Sequence, residues 1–95
     1  VEPYRPAIDE LSRYEGRYES KDLKAVFHIK ATEKQLVVYL EHAPMQRLPF
    51  SPVVKDMFVF RRMHIGWIRD DQGSIVALTY SNPVLKDVRF TRLNN

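Results

Sequence analysis

The chain has 95 residues, a length that fits one domain with one hydrophobic core. It contains no cysteine, which excludes disulfides, thiolate metal sites and cysteine nucleophiles. The net charge is only +3 because 15 Lys and Arg are offset by 12 Asp and Glu along the whole length, a scatter that argues against nucleic-acid binding.

Residues 1–8 are predicted to be an extended lead-in or the end of a linker, since Pro3 and Pro6 fix φ and cannot donate to a strand ladder. The first four residues are neither a signal peptide nor a natural initiator. No apolar stretch approaches the roughly 20 residues that span a bilayer. We therefore expect an excised piece or a processed product whose residues 9–95 form a single domain.

A short helix or 3₁₀ turn is predicted at residues 9–13, where Asp9 suits the N-cap position and Ile8 and Leu11 bracket one helical turn. Every later element is strand-like. Residues 14–18 alternate with period two, which places Tyr14 and Tyr18 on one face of a strand. Gly16 marks a bend or a close backbone approach. Residues 24–30 and 35–41 alternate in the same way and are predicted to form the first hairpin, joined at residues 31–34.

The middle of the chain is predicted to be broken at residues 42–44, with a short strand at 46–50 and a loop at 51–52. Pro49 favours an edge or an end for that short strand. Strands follow at 57–61 and 63–69. Residues 70–73 form the clearest turn, because Gly73 can take positive φ, and strands at 74–80 and 86–92 complete the series.

Eight antiparallel strands in about eighty residues must close into a barrel or fold into a sandwich, since a flat open sheet would leave long unpaired edges. Connections between neighbouring strands at nearly every step favour an up-and-down barrel. The prediction is therefore an all-β fold, a small eight-stranded antiparallel barrel preceded by a short helical turn.

Inward-facing aromatic residues are the candidate ligand-binding set. A barrel of eight strands can hold one small molecule, but it can also be filled by its own side chains, and strands this short favour the filled interior. Both alternatives stay open at this point. The residues concerned are Tyr14, Tyr18, Phe27, Phe58, Phe60, Trp67 and Phe90.

Apolar residues in the opposite phase predict an outer surface that docks another domain or subunit. The alternative is an error in the assumed strand phase, because a slip of one residue turns every side chain to the other face. The residues in this phase are Val26, Val37, Tyr39, Val59, Ile68, Val76, Leu78 and Tyr80, of which Tyr39, Ile68, Leu78 and Tyr80 are the interface candidates.

Neither a metal site nor a catalytic residue is predicted. His28, His42 and His64 lie on different elements, with no i, i+2 pair. Asp70 and Asp71 are turn formers where a hairpin needs them. No Ser and His pair stands at catalytic spacing, so the chain is not expected to be an enzyme or to need a cofactor.

A series of short motifs, in order along residues 9–93, resembles a known family. The chain is similar to the small domain found C-terminal to serine β-lactamase-like hydrolases, a group that includes penicillin-binding-protein-like peptidases and D-aminopeptidases. In that family the domain is a lipocalin-like eight-stranded barrel. The motifs are Leu11, the run Tyr14-Glu15-Gly16-Arg17-Tyr18, Leu36, Leu48-Pro49, Asp56 with Phe58, Trp67-Ile68-Arg69-Asp70, Gly73 and Val88-Arg89-Phe90-Thr91-Arg92.

The resemblance implies a non-catalytic accessory barrel that packs on the catalytic hydrolase domain of the same chain and shapes substrate access or oligomerisation. It also implies a periplasmic or secreted location. Hydrolysis in such proteins depends on a Ser-x-x-Lys motif in a separate domain, and no serine here has Lys three residues later. The alternative is a free-standing barrel that binds a small hydrophobic ligand.

Overall fold

Eight antiparallel strands follow one short helix in the computed structural model, which describes residues 4–94. Each strand pairs with the next, and β1 pairs with β8, so the sheet closes into a barrel. The predicted all-β class and the eight-stranded barrel are confirmed. The elements are α1 Ile8–Ser12, β1 Gly16–Ser20, β2 Ala25–Ala31, β3 Leu36–Leu40, β4 Ala43–Val54, β5 Met57–Phe60, β6 Met63–Arg69, β7 Ile75–Ser81 and β8 Val88–Arg92.

The barrel has two ends that differ in how they are covered. Because neighbouring strands run in opposite directions, alternate connections lie at the same end. Turns 21–24, 41–42 and 61–62 and the loop 82–87 lie at one end, called here the open end. Helix α1 and the turns 32–35, 55–56 and 70–74 lie at the other, called here the closed end.

The start of the barrel differs from the prediction in two details. Ala7, not Asp9, is the N-cap residue, and Asp9 lies in the first turn of α1. The helical turn also continues past the predicted boundary, because the backbone N–H of Tyr14 donates to the Leu11 carbonyl at 3.1 Å. The first strand therefore begins at Gly16, and Tyr14 lies in the turn before it.

A break is present close to the predicted position, because β3 ends at Leu40 and the turn 41–42 precedes β4, but β4 already begins at Ala43. Strand β4 then runs for twelve residues through the loop predicted at 51–52, so that loop prediction is wrong. Its first part pairs with β3, where Pro49 faces Val37, and its last part pairs with β5, where Pro52 faces Phe58. Successive residues of a strand direct their N–H groups to opposite sides. Each half of β4 has a partner strand on one side only, so every second residue directs its N–H group away from that partner. Proline is tolerated at such positions, because no ladder hydrogen bond is lost.

A β-bulge in β7 overturns the predicted outward direction of Leu78 and Tyr80. Ile68 pairs with Ala77, but the next residue of β6, Arg69, pairs with Ile75, so Val76 is an extra residue. The bulge shifts the alternation by one position. Leu78 is fully buried in the core, and Tyr80 packs against it from inside the barrel.

The seam between β1 and β8 is held by the last arginine of the barrel. Tyr18 pairs with Arg92 across the seam, and the guanidinium lies 5.7 Å from the centre of the Tyr18 ring. Arg92 Nη1 donates to the Ile75 carbonyl at 3.1 Å, and Nη2 donates to the Glu15 carbonyl. One side chain thus ties β8 to β7 and to the residue that precedes β1.

No helix in the described range 4–94 is long and apolar enough to cross a membrane.

Candidate ligand-binding site

Three side chains from separate elements form a polar cluster at the closed end, called here the closed-end clamp: Tyr14, Asp56 and Arg69. The Tyr14 hydroxyl donates to Asp56 Oδ1 at 2.8 Å. Arg69 donates from Nε to Oδ2 at 2.9 Å and from Nη2 to Oδ1 at 3.0 Å. Its Nη1 also donates to the Gly73 carbonyl at 2.8 Å. The clamp fastens the turn after α1 to two of the three hairpin turns at this end, 55–56 and 70–74.

The ionisation of the clamp is fixed by these contacts. Burial alone would raise the pKa of Asp56, but the hydrogen bonds from Arg69 and Tyr14 outweigh it, so the pKa of this carboxyl lies below its ordinary value. Burial and the neighbouring Asp56 raise the pKa of Tyr14. The hydrogen bond to Asp56 raises the pKa of Arg69. At neutral pH the clamp therefore consists of the Asp56–Arg69 ion pair and a neutral Tyr14. This arrangement holds the turns together.

Aromatic side chains fill the closed half of the barrel behind the clamp. The ring of Trp67 lies with its centre 4.8 Å from that of Tyr14 and 5.3 Å from that of Tyr18. Phe58 packs edge-on to Tyr14 at 5.3 Å. The Tyr18 hydroxyl donates to the Tyr14 carbonyl at 2.8 Å. These four members of the predicted ligand-binding set pack against one another and leave no room for a ligand between them.

Two further observations concern the same interior. The indole Nε1 of Trp67 is buried and has no hydrogen-bond partner among the residues that the structure describes. Phe60 is only partly buried and packs against Phe50 at a ring distance of 6.0 Å, with the Arg61 guanidinium 5.1 Å from its ring centre. Phe60 therefore belongs to the wall near the end of β5.

The open end contains a cavity of about 280 Å³. Its aromatic wall is formed by Phe27 and Phe90, whose rings stack at 4.4 Å with an angle of 14° between their planes. Tyr80 stands edge-on to Phe27 at 5.4 Å and to Phe90 at 6.4 Å. Tyr39 also lines the cavity, and aliphatic side chains form much of the remaining lining: Leu23, Ala25, Leu40, Ala43, Leu48 and Leu85.

Two amide side chains, Gln46 and Asn82, supply polar groups to the lining of this cavity. Asn82 also organises the loop 82–87, because its Oδ1 accepts from the backbone N–H groups of Val84 at 2.8 Å and Leu85 at 2.7 Å. Its Nδ2 lies 3.2 Å from the Tyr80 hydroxyl oxygen. Among the described residues, no charged side chain lines the cavity. The site is a largely apolar cup with a few uncharged polar groups on its wall.

The predicted ligand-binding set divides between the two halves of the barrel. Phe27 and Phe90 line the cavity, whereas the other five members do not. Tyr80 also lines it, although the sequence placed this residue on the outer surface. Gln46 and Asn82 were not predicted, and the only local sign of Asn82 was the turn formed with Pro83. Ligand binding by any of these residues stays a prediction.

Tyr39, which also lines the cavity, lies between two other side chains at the surface. The ring of His28 stacks on it at 4.9 Å, and the Arg47 guanidinium lies 4.6 Å from its centre. Glu41 Oε1 lies 3.1 Å from His28 Nε2 and 2.9 Å from Arg17 Nη2. The hydrogen bond to His28, and next the hydrogen bond from Arg17, lower the pKa of Glu41. The predicted interface role of Tyr39 and of the half-buried Ile68 stays a prediction.

Within residues 4–94, no group of three or more His, Cys, Asp or Glu side chains is placed to hold a metal ion. Comparison with protein-family models, curated proteins and solved structures finds no match for the chain. The resemblance to the accessory domain of serine β-lactamase-like hydrolases therefore stays a prediction.

Proposed function

We propose that the barrel binds one small, uncharged, apolar ligand in the cavity at its open end. The observation that carries the proposal is the concave cup of about 280 Å³ with an aromatic wall and no charged lining among the described residues. Ligand sites of proteins are typically concave and mostly apolar, with a few polar groups. An apolar cavity of roughly 150 Å³ is enough to bind benzene. The volume here suits a molecule of about two fused rings.

The division of the barrel into two halves supports a single direction of access. The closed half is filled by packed aromatic rings beneath the clamp, and the residues that line the cavity lie toward the turns of the other end. Exposed apolar side chains lie in those turns and at the start of β4: Leu23 is 40% exposed, Val84 is 90% exposed and Met45 of β4 is 91% exposed. A ligand that reaches the cavity therefore passes an apolar rim.

Naphthalene is the probe that tests this proposal, because it is uncharged, has two fused rings and carries no polar group. We expect saturable binding at one site per chain in a titration followed by ¹H–¹⁵N correlation spectra. The shifts should be largest around the open end, at residues such as Ala25, Leu40 and Leu85. Shifts that grow linearly without saturation, or that spread evenly over both ends, would contradict the proposal.

A pair of matched variants separates filling of the cavity from general disturbance of the core. Ala25 and Ala31 are both partly buried residues of β2 and face inward, but only Ala25 lines the cavity. Ala25→Leu should weaken naphthalene binding at least tenfold, whereas Ala31→Leu at the closed end should leave it unchanged. Circular dichroism establishes that each variant is folded. Equal binding by a folded Ala25→Leu variant and the original protein would overturn the assignment of the site.

A second candidate function follows from the sequence resemblance, namely a non-catalytic accessory barrel that packs on the catalytic domain of a serine β-lactamase-like hydrolase. It is supported by an apolar face outside the closed half. Val54 pairs with Met57, and Met57 pairs with Gly66, two residues before Ile68, so these side chains share one outer face. Val54 is 56% exposed and Met57 is 38% exposed, an arrangement that suits a covered surface.

The second candidate is tested first by the size of the natural gene product, detected with an antibody against this barrel. A product much larger than the 11.2 kDa of this chain would agree with it, and a product of that size would overturn it. In a larger product, Val54→Glu should loosen the packing of the barrel on its neighbour and increase limited proteolysis between them. Val84→Glu at the open end is the matched control.

A further inference from the structure

We infer that the ligand of the open-end cavity is an uncharged aromatic molecule that carries a hydrogen-bond acceptor, and that the Tyr80 hydroxyl donates to that acceptor. This inference rests on the proposed function and names the class of ligand. It depends on three observations: the fixed orientation of the Asn82 amide, the stacked pair of phenylalanines and the uncharged lining.

The orientation of the Asn82 side chain decides the hydrogen bonding of Tyr80. Asn82 Oδ1 accepts two backbone N–H groups, those of Val84 and Leu85, at 2.8 and 2.7 Å. A flipped amide would place an NH₂ group against both donors, so Nδ2 must be the atom that faces Tyr80. The amide therefore donates to the Tyr80 oxygen at 3.2 Å.

The hydroxyl hydrogen of Tyr80 is consequently left for another partner. A phenol can accept and donate at the same time. Among the residues that the structure describes, no acceptor receives this hydrogen, although the hydroxyl oxygen is already engaged by Asn82. Tyr80 and Asn82 both line the cavity. A donor thus stands at the wall of a largely apolar site, where a ligand acceptor can satisfy it.

The remaining walls restrict the shape and charge of the ligand. The stacked rings of Phe27 and Phe90, together with the edge of Tyr80, favour a flat aromatic molecule, because aromatic rings gain from stacked and edge-on contacts. A carboxylate or an ammonium group would lose its hydration without meeting an opposite charge in this lining. The acceptor is therefore a neutral ring nitrogen or a carbonyl or ether oxygen.

Naphthalene and quinoline test the inference, because they have nearly the same shape and only quinoline has an acceptor. Both are titrated into the original protein and into Tyr80→Phe at mildly alkaline pH, where quinoline is uncharged. Tyr80→Phe should weaken quinoline binding by about three- to tenfold, the effect of losing one hydrogen bond, and should change naphthalene binding less than about twofold. Tyr4→Phe is the matched control, since the Tyr4 hydroxyl bonds to Glu10 at the closed end; it should change neither.

A second measurement needs no variant. In the original protein, quinoline should shift the ¹³Cζ resonance of Tyr80, next to the hydroxyl, whereas naphthalene should move it much less. If naphthalene binds but Tyr80→Phe affects both compounds equally, or quinoline leaves the Cζ resonance in place, the inference is overturned and the proposed function survives. If neither compound binds, the proposed function itself fails.

Discussion

Asp56 and Arg69 form a two-pronged ion pair at the closed end of the barrel, with N–O distances of 2.9 and 3.0 Å. Asp56 lies in the turn between β4 and β5 with a φ of 65°, and Arg69 is the last residue of β6. The Asp56 carbonyl also accepts the backbone N–H of Trp67 at 2.9 Å. One turn residue thus holds the neighbouring strand through both its side chain and its backbone.

Replacement of Asp56 by Asn tests the charge of this pair while keeping a residue that tolerates positive φ. We expect the free energy of unfolding at neutral pH to fall by about 1–3 kcal/mol, the range for hydrogen bonds to charged groups, because two donors of Arg69 lose their carboxylate. Urea unfolding measures the change. Asp71→Asn, in the exposed turn before Gly73, is the control and should change little.

The same pair makes stability depend on acid. The folded protein lowers the pKa of Asp56 below the unfolded value, so the unfolded chain takes up a proton first as the pH falls. The contribution of the pair is present above about pH 4 and is lost below it. Unfolding measured from neutral pH down to about pH 3 should therefore show a difference between the original protein and Asp56→Asn that narrows with acid. A constant difference would contradict this explanation.

Tyr18 should make stability depend on alkali in the opposite sense. Burial raises the pKa of Tyr18 to about 12, although Arg92 opposes the shift, and the ordinary value is 10.0. The unfolded chain therefore loses this proton first, and the stabilisation is lost as pH rises from the unfolded value through the folded one. Tyr18→Phe should reduce the loss of stability over that interval, as followed by urea unfolding.

At neutral pH, Tyr18→Phe should itself cost about 1 kcal/mol, because the hydroxyl no longer donates to the Tyr14 carbonyl. Ser12→Ala, which removes a hydroxyl bonded to the Ile8 carbonyl but no phenol, is the control and should keep the alkaline loss of the original protein. Equal alkaline sensitivity of Tyr18→Phe and the original protein would show that another group is responsible.

Two glycines with positive φ offer a matched comparison of backbone strain and close contact. Gly16 has a φ of 151°, and a Cβ there would lie 3.1 Å from Arg92 Nε. Gly73 has a φ of 83°, and a Cβ there would meet nothing within 4 Å. Gly73→Ala should therefore cost about 1 kcal/mol from strain alone.

Gly16→Ala should cost more, about 2–3 kcal/mol, because the added methyl group also displaces a guanidinium that is bound to two carbonyls at the seam. Chemical denaturation of both variants gives the two values. Equal costs would mean that Arg92 moves aside freely.

The bulge in β7 is tested by replacing two residues with alanine: Val76, the extra residue, and Leu78, which follows it. Leu78 is fully buried, so Leu78→Ala should destabilise the protein by about 2–5 kcal/mol, the range for large-to-small changes in a core. Val76, the extra residue, is only half-buried, and Val76→Ala should cost about 1 kcal/mol or less. A larger loss of stability for Val76→Ala than for Leu78→Ala would contradict the bulge and would agree with the strict alternation expected from the sequence.

Periodicity was enough to predict the barrel, because most strands bury every second residue. In β2, Phe27 and Ile29 are buried while His28 between them is not, and the same holds for Leu36 and Val38 of β3. Short connections then left few ways to pair the strands. The alternation and the short connections together were therefore sufficient to predict the class and the closed, up-and-down topology.

Periodicity failed where the backbone departs from strict alternation. The bulge at Val76 has no proline or glycine to mark it, so Tyr80 was placed on the wrong face. The polar part of the cavity wall was missed for a related reason. Its polar position arises from the contact of Tyr80 with Asn82 in the following loop, and that contact exists only once the loop 82–87 has folded back on the barrel.

The three prolines of β4, Pro44, Pro49 and Pro52, have a consequence for how these barrels meet one another in solution. Each half of β4 leaves one of its edges without a partner strand, and such an edge ordinarily invites pairing with another molecule. Proline brings no N–H to that edge, so an incoming strand finds its ladder interrupted. The residues that made β4 hard to recognise as a strand are therefore its protection against aggregation.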